Sequence, residues 1–274
     1  MTKQKRVLIV GSFCNISGYS DHARLLADAL ISQNSGHKFY LLDLQWAAAS
    51  RDMKYVKKYG SMIQETAQYI NFLKQTGQQM HQGFDCSFQV RAPNEFSRIT
   101  HYDIGVTAAL ETVAAPSEWI EKCNAMQKLL VVSEHSKKNL QNAQDQNGAT
   151  ITSDIEVIPF YNNLEDISSR ESFSGYEEIT TSKNFLCVSQ LAPRKNIINM
   201  LDWFTEEFYN DPDVGLVLKT HLINNSVPDC NHTKTQLQSF LNMNKNREDK
   251  KCKVYLLHGN LSEEQMHGLY DPNK

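Results

Sequence analysis

The sequence predicts an α/β protein of two doubly wound domains, the second of them incomplete. Three observations lead there. Short apolar runs alternate with amphipathic helical patterns from Arg6 to Tyr270, the order expected of a parallel sheet with crossover helices. The runs are nearly continuous rather than alternating, as in strands covered on both faces. A polar stretch over 160–183, with Asn162, Asn163, Ser168, Ser169, Ser172, Ser174 and Gly175, separates the earlier runs from the later ones. It places a linker at 166–183, between a domain over 1–165 and one over 184–274. The second domain holds three strand–helix pairs and falls short of the ~100–150 residues usual for a domain.

In the first domain, Arg6 to Val10 read as the first strand. Residues 11–21, GSFCNISGYSD, form a loop, and Ser20 or Asp21 is placed to cap the helix after it. The apolar face of that helix is Ala23, Leu26, Ala27 and Leu30. Gly11 and Gly18 do not have the spacing of a G-x-G-x-x-G fingerprint. Gly18 therefore stands between two readings, a tight strand-to-helix turn and close approach of a ligand to the backbone. Lys38 to Asp43 is the second strand, residues 46–59 are ambiguous, and Met62 to Leu73 has helical period. Phe84 to Val90 is the third strand, with Pro93 and Asn94 at its exit, and Tyr102 to Ala108 is the fourth. Pro116 opens a helix carrying Trp119, Ile120 and Cys123. Lys128 to Val132 is the fifth strand, and Ser133 caps a helix reaching Gln144. Ile155 to Ile158 is the sixth, closed by Pro159.

The second domain opens with NFLCVSQLAPRKN, residues 184–196. Phe185 to Val188 carry no charge and belong to a strand over 184–190, read as buried on both faces. Pro193 breaks it, Arg194 and Lys195 follow, and a helix over 197–209 presents Ile197, Ile198, Leu201, Phe204 and Phe208. Strand Val214 to Lys219, helix 233–243, strand Lys253 to Leu257 and helix 262–270 complete it.

Composition narrows the class. A net charge of −3 with 22% charged residues offers no basic excess for nucleic acid. The six cysteines, Cys14, Cys86, Cys123, Cys187, Cys230 and Cys252, form no C-x-x-C pair, and Cys187 and Cys252 lie in apolar runs as buried thiols. That is a reduced, cytoplasmic chain rather than a disulfide or zinc framework. The apolar run after Lys3, Lys5 and Arg6 is too short for a signal peptide. No run approaches the ~18 apolar residues that span a bilayer, which leaves peripheral membrane contact open.

The chemistry is concentrated at strand ends. Arg194 and Lys195 sit where an apolar strand hands over to a helix. Ligands of open parallel sheets bind at the carboxyl ends of strands, and a helix N-terminus favours anions there. A phosphate or diphosphate suits this place; the alternative is a solvated basic pair. Lys219, at the end of another strand, lies at the same edge, although a lone lysine there often snorkels. Glu111 follows the fourth strand, where it is either an ordinary loop carboxylate or a group that orients a sugar hydroxyl or stabilises a cationic transition state. His221 is within reach of the phosphate edge, whereas His101 is at the opposite strand end. Asp211-Pro212-Asp213 reads as a solvated turn. Neither a P-loop, a G-x-S-x-G elbow nor an H-E-x-x-H pair is present.

Four stretches carry a resemblance to the retaining family 4 glycosyltransferases: ISGYSDHARLLADAL (16–30), IGVTAALET with PSEWIEKCN (104–124), LLVVSEHSKKNL (129–140), and VSQLAPRKN with LVLKT (188–220). The segment HGNLSEEQMHGLY (258–270) is also similar. The resemblance implies a GT-B fold of two facing Rossmann-like domains. It implies transfer of a sugar from a nucleotide-diphosphate sugar to a sugar, glycan or lipid-linked acceptor, with no metal and no other cofactor. On that likeness Arg194 and Lys195 hold the donor diphosphate, and Lys219 belongs to the same basic edge. Gly18 and Tyr19 approach the phosphates from the first domain, and Glu111 is a polar residue of the cleft, although many members carry a histidine nearby instead. The family continues with a glycine-rich segment and an E-x7-E motif that this sequence lacks. The expectation is therefore a truncated donor domain and weak or absent activity of the isolated chain. The alternative is a non-catalytic partner whose nucleotide site another chain completes.

Overall fold

The computed structural model of the chain describes residues 4–33, 35–47, 49–160, 176–243 and 249–270. Two compact units result, Met1–Asn162 and Asn163–Lys274. Of the linker expected at 166–183, residues 166–175 lie outside the described residues, and Tyr176–Glu178 form a 3₁₀ turn. No helix among the described residues is long and apolar enough to cross a membrane.

In the first unit, β1 (Arg6–Gly11), β2 (Lys38–Asp43), β3 (Cys86–Val90), β4 (Asp103–Thr107), β5 (Lys128–Val131) and β6 (Asp154–Val157) form one sheet. Its order is β2-β1-β3-β4-β5-β6, and every pairing is parallel. The helices are α1 (Gly18–Ser32), α2 (Met53–Gln75), α3 (Met80–Gly83), α4 (Trp119–Asn124) and α5 (Glu134–Gln141). The unit is α/β with a parallel sheet, consistent with a Rossmann-like fold. Leu8, Val10 and Tyr40 pack with Leu73 and Phe84, while Val7, Ile9 and Leu41 pack with Ala23, Ala27 and Tyr59. The central strand thus buries both its faces, as its apolar composition requires.

Some local readings change. The cap of α1 is Ser17, whose hydroxyl accepts the Ser20 N–H at 3.1 Å, rather than Ser20 or Asp21. The helix starts at Gly18 because Ser17 is the last extended residue, with φ −163° and ψ 159°. Helix α2 begins at Met53, capped by Asp52, and absorbs much of the ambiguous 46–59 stretch. Tyr55, Val56, Tyr59, Met62 and Ile63 supply its core face, and lysines between them mask the pattern.

In the second unit, β7 (Lys183–Val188), β8 (Val214–Lys219) and β9 (Lys253–Leu257) make a parallel sheet in the order β7-β8-β9. The helices are α6 (Ile197–Glu207), α7 (Val227–Met243) and α8 (Glu263–Leu269). Ile197, Leu201 and Phe204 of α6 and Leu237 of α7 share one cluster with Val214, Leu216 and Leu218 of β8. Both helices therefore cover the same face. Leu186, Val188, Val217, Tyr255 and Leu257, which alternate with the clustered residues along their strands, lie outside it.

Strand β8 is buried throughout, but β7 is not. The reading of β7 as covered on both faces is corrected: it is an edge strand, with Phe185 50% and Val188 36% exposed. The physical reason is the strand order, which gives β7 one neighbour among the described residues. Cys187 is for the same reason only half-buried, whereas Cys252 is fully buried. All six cysteines are free thiols.

Candidate functional site

In the first unit the chain leaves β1 in one direction to reach β2 and returns across it to β3. Such a reversal opens a crevice beyond the carboxyl ends of the two central strands. Gly11, which ends β1, lets α1 approach closely, since a Cβ there would lie 2.9 Å from that of Ala23. The loop that follows is held by buried polar groups. Ser12 Oγ donates to Asn15 Oδ1 at 2.8 Å, and Ser20 Oγ donates to Ser12 Oγ at 3.0 Å. The Arg24 guanidinium donates to the carbonyls of Phe13 and Asn15 at 2.8 and 3.0 Å and lies 3.7 Å over the Tyr55 ring. Asp43 accepts the N–H groups of Phe13 and Cys14 at 2.7 and 3.2 Å. Burial and the Asp43 carboxylate push the Cys14 thiol up to about 11, so it is no nucleophile.

Gly18 is exposed at the start of α1, and a Cβ there would meet nothing within 4 Å. The fold does not demand a glycine at this point. Tyr19 is committed inside the unit: its hydroxyl is 2.9 Å from Thr107 Oγ1, and its ring stacks on Trp46 at 4.5 Å. Its phenol is pushed up by burial. What Gly18 and Tyr19 offer outward is backbone N–H groups of the first helical turn. Glu111 is exposed in a bend after β4. Ala109, two residues before it, has φ 57°, a left-handed conformation that costs alanine about 1 kcal/mol or more.

In the second unit the expected cations do gather at one sheet edge. Pro193–Lys195 form a 3₁₀ turn between β7 and α6, with Arg194 and Lys195 exposed. Asn196 then takes φ 54° and starts the helix. The ladder between β7 and β8 continues past both strand ends. Ser189 N–H donates to the Lys219 carbonyl at 3.1 Å and Leu191 N–H to the His221 carbonyl at 2.8 Å. Gln190 Nε2 adds a bond to the Leu222 carbonyl at 2.7 Å. These links fix the Arg194 turn beside residues 219–222.

Lys219 is 7% exposed, and its ammonium donates to the Gly259 carbonyl at 2.7 Å. Burial pushes its titration down. Beyond it is a constellation that sequence reasoning missed. His258 Nε2 lies 3.0 Å from Asp229 Oδ2, both side chains being nearly inaccessible. Asp229 also accepts the N–H groups of Ile223 at 2.8 Å and Leu222 at 3.2 Å. Asn225 Nδ2 donates to Asn260 Oδ1 at 3.0 Å. Burial alone would raise the Asp229 carboxyl, but the bonds from His258 and the two amides outweigh it and hold it below its ordinary range. His221 is pushed down by burial first, then by the charge of Lys219, with Asp229 opposing and His258 adding to the shift. The Thr220 hydroxyl and Asn225 Oδ1 are buried without a partner among the described residues.

Asp229 was missed because α7 starts at Val227 rather than at 233. Ser226 followed by Pro228 was the available signal, since a serine cap with proline in the first turn marks a helix start. Its hydroxyl does accept the Asp229 N–H, at 3.3 Å. Asp211-Pro212-Asp213 is a turn, with Asp213 N–H donating to Asp211 Oδ1 at 3.0 Å. His101 packs edge-on to His81 at 5.1 Å, at the amino end of β4.

No protein-family model matches this chain, and no curated protein is significantly similar to it.

Proposed function

We propose that this chain is a glycosyltransferase of GT-B type that moves a sugar from a nucleotide-diphosphate sugar to an acceptor. The observation that carries the proposal is the position of Arg194, Lys195 and Lys219 at the carboxyl ends of two adjacent parallel strands, next to the N-terminus of α6. When the anomeric bond breaks, negative charge grows on the departing diphosphate. Fixed cations aimed at that place stabilise it more in the transition state than in the ground state. Arg194 supplies a planar fork suited to two phosphate oxygens, and Lys195 a point charge. In this proposal they perform the charge neutralisation that a metal performs elsewhere. The N–H groups of Gly18 and Tyr19 are donors for an anionic group in the first unit, and Glu111 orients a sugar hydroxyl. Retention of anomeric configuration is part of the proposal on the family likeness alone.

Calorimetric titration of the wild-type chain and Arg194→Ala with UDP, GDP and ADP tests this. One nucleoside diphosphate is expected to bind, and the variant to lose about tenfold or more in affinity. Absence of binding, or equal affinity in both proteins, overturns it.

A second reading, a non-catalytic subunit that receives another polypeptide, is favoured by the exposed edge of β7 with Phe185 and Val188. It differs in one measurable respect: such a subunit, alone, binds no nucleoside diphosphate.

A further inference from the structure

We propose that the carboxyl edge of β8 and β9 is a phosphate-binding subsite whose ligands are Lys219 and His221, positioned by the Asp229–His258 pair. This rests on the donor-diphosphate reading and extends it to His221, Asp229 and His258, which the family likeness does not assign.

The geometry comes first. Lys219 and His221 are two residues apart on β8 and its extension, and the bonds from Ser189 and Leu191 keep that extension in register. Side chains two apart along such backbone leave the same face. An ammonium has three N–H donors, and among the described residues that of Lys219 has one partner, the Gly259 carbonyl. Asp229, the carboxylate of the loop beyond His221, has its oxygens already serving His258, Leu222 and Ile223. Among the described residues Lys219 is thus a buried cation with a carbonyl partner and no counter-ion, an arrangement that costs stability unless an anion completes it.

Among the described residues, the charged groups acting on His221 are Lys219 on β8, Asp229 on α7 and His258 after β9. Asp229 anchors the backbone of Leu222 and Ile223, directly after His221, and His258 anchors Asp229. The pair acts on the ligand through the loop rather than by touching it.

A chemical consequence follows. Without ligand, burial first and then the charge of Lys219 lower the titration of His221. A phosphate oxygen beside it reverses that balance, and the imidazole takes a proton from solvent to become a second donor cation. Binding then consumes protons near neutral pH.

The test is calorimetric titration of the full chain with inorganic pyrophosphate, near neutral pH, in two buffers of different ionisation enthalpy. Wild type is expected to take up more protons on binding than His221→Gln does, a difference that cancels the change in pyrophosphate's own protonation. His221→Gln is also expected to bind about tenfold more weakly. In wild type, histidine NMR is expected to show His221 titrating at higher pH with pyrophosphate than without, a readout that needs no variant. If Arg194→Ala abolishes binding while His221→Gln leaves affinity and uptake unchanged, the subsite is wrong and the donor-diphosphate reading stands. An unmoved His221 titration in the bound wild type also overturns the subsite. If wild type binds no pyrophosphate, the subsite falls, while the donor-diphosphate reading is decided by the nucleoside diphosphate titration.

Discussion

The ammonium of Lys219 donates to the carbonyl of Gly259, a bond of 2.7 Å that ties the end of β8 to the loop after β9. Methionine has a similar reach without the charge. Replacing a buried ion by an apolar group of like volume is often neutral or stabilising. Lys219→Met is therefore expected to keep or raise the thermal midpoint while losing about tenfold in nucleoside diphosphate affinity. Scanning calorimetry paired with ligand titration checks this. A midpoint lowered by more than about 5 °C would make the lysine a structural element.

Asp229 has a different role. Its carboxyl is held below the ordinary value of 3.8, so the unfolded chain binds its proton at higher pH than the folded one. The resulting stability is complete above that ordinary value and is lost as pH falls through the lower folded one. Asp229→Asn keeps the shape but removes the charged acceptor of His258. It should cost about 1–3 kcal/mol at neutral pH and flatten this part of the acid limb. Urea unfolding across the acid range measures both effects.

Gly11 and Gly18 make a contrasting pair. An added methyl at Gly11 meets the Cβ of Ala23 at 2.9 Å, while one at Gly18 meets nothing within 4 Å. Gly11→Ala should destabilise the first unit by about 1–3 kcal/mol. Gly18→Ala should change stability by no more than about 0.5 kcal/mol. Chemical denaturation of the two variants side by side decides it, and a large cost at Gly18 would give that glycine a structural role.

His22 packs edge-on against Phe160 at 5.3 Å, and burial pushes it below its ordinary 6.5. Here the unfolded state takes up the proton first as pH drops. The stability is present above 6.5 and declines as pH falls toward the lower folded value. Between about pH 7.5 and 5 the thermal midpoint of wild type should fall more steeply than that of His22→Leu, and parallel falls would overturn this.

Much of the framework was legible because its strands are short uncharged runs that nothing else accounts for. Val7 to Val10 and Val214 to Leu218 had no alternative to burial in a sheet. Helix starts were harder. Lysines 57 and 58 hid the apolar face of α2, and the first turn of α7, marked only by Ser226 and Pro228, carries polar Asp229 and Asn231 in place of an apolar stripe. The cations of the second unit were visible as strand-end residues, since Arg194, Lys195 and Lys219 each follow or end an apolar run. Asp229 and His258 were not, because their meeting depends on β9 lying beside β8, and strand order leaves no local trace. The same gap explains β7, whose composition describes a central strand and whose place is an edge.

The ladder that runs on beyond β7 and β8 has a consequence for amide hydrogen exchange. Ser189 and Leu191 lie outside the strand yet give their N–H groups to the carbonyls of Lys219 and His221. The outward amides of β7 have no strand beside them among the described residues. Loops ordinarily exchange faster than the strands they follow. Here the order inverts, and the segment carrying Arg194 and Lys195 stays protected longer than the outer edge of the strand that leads to it.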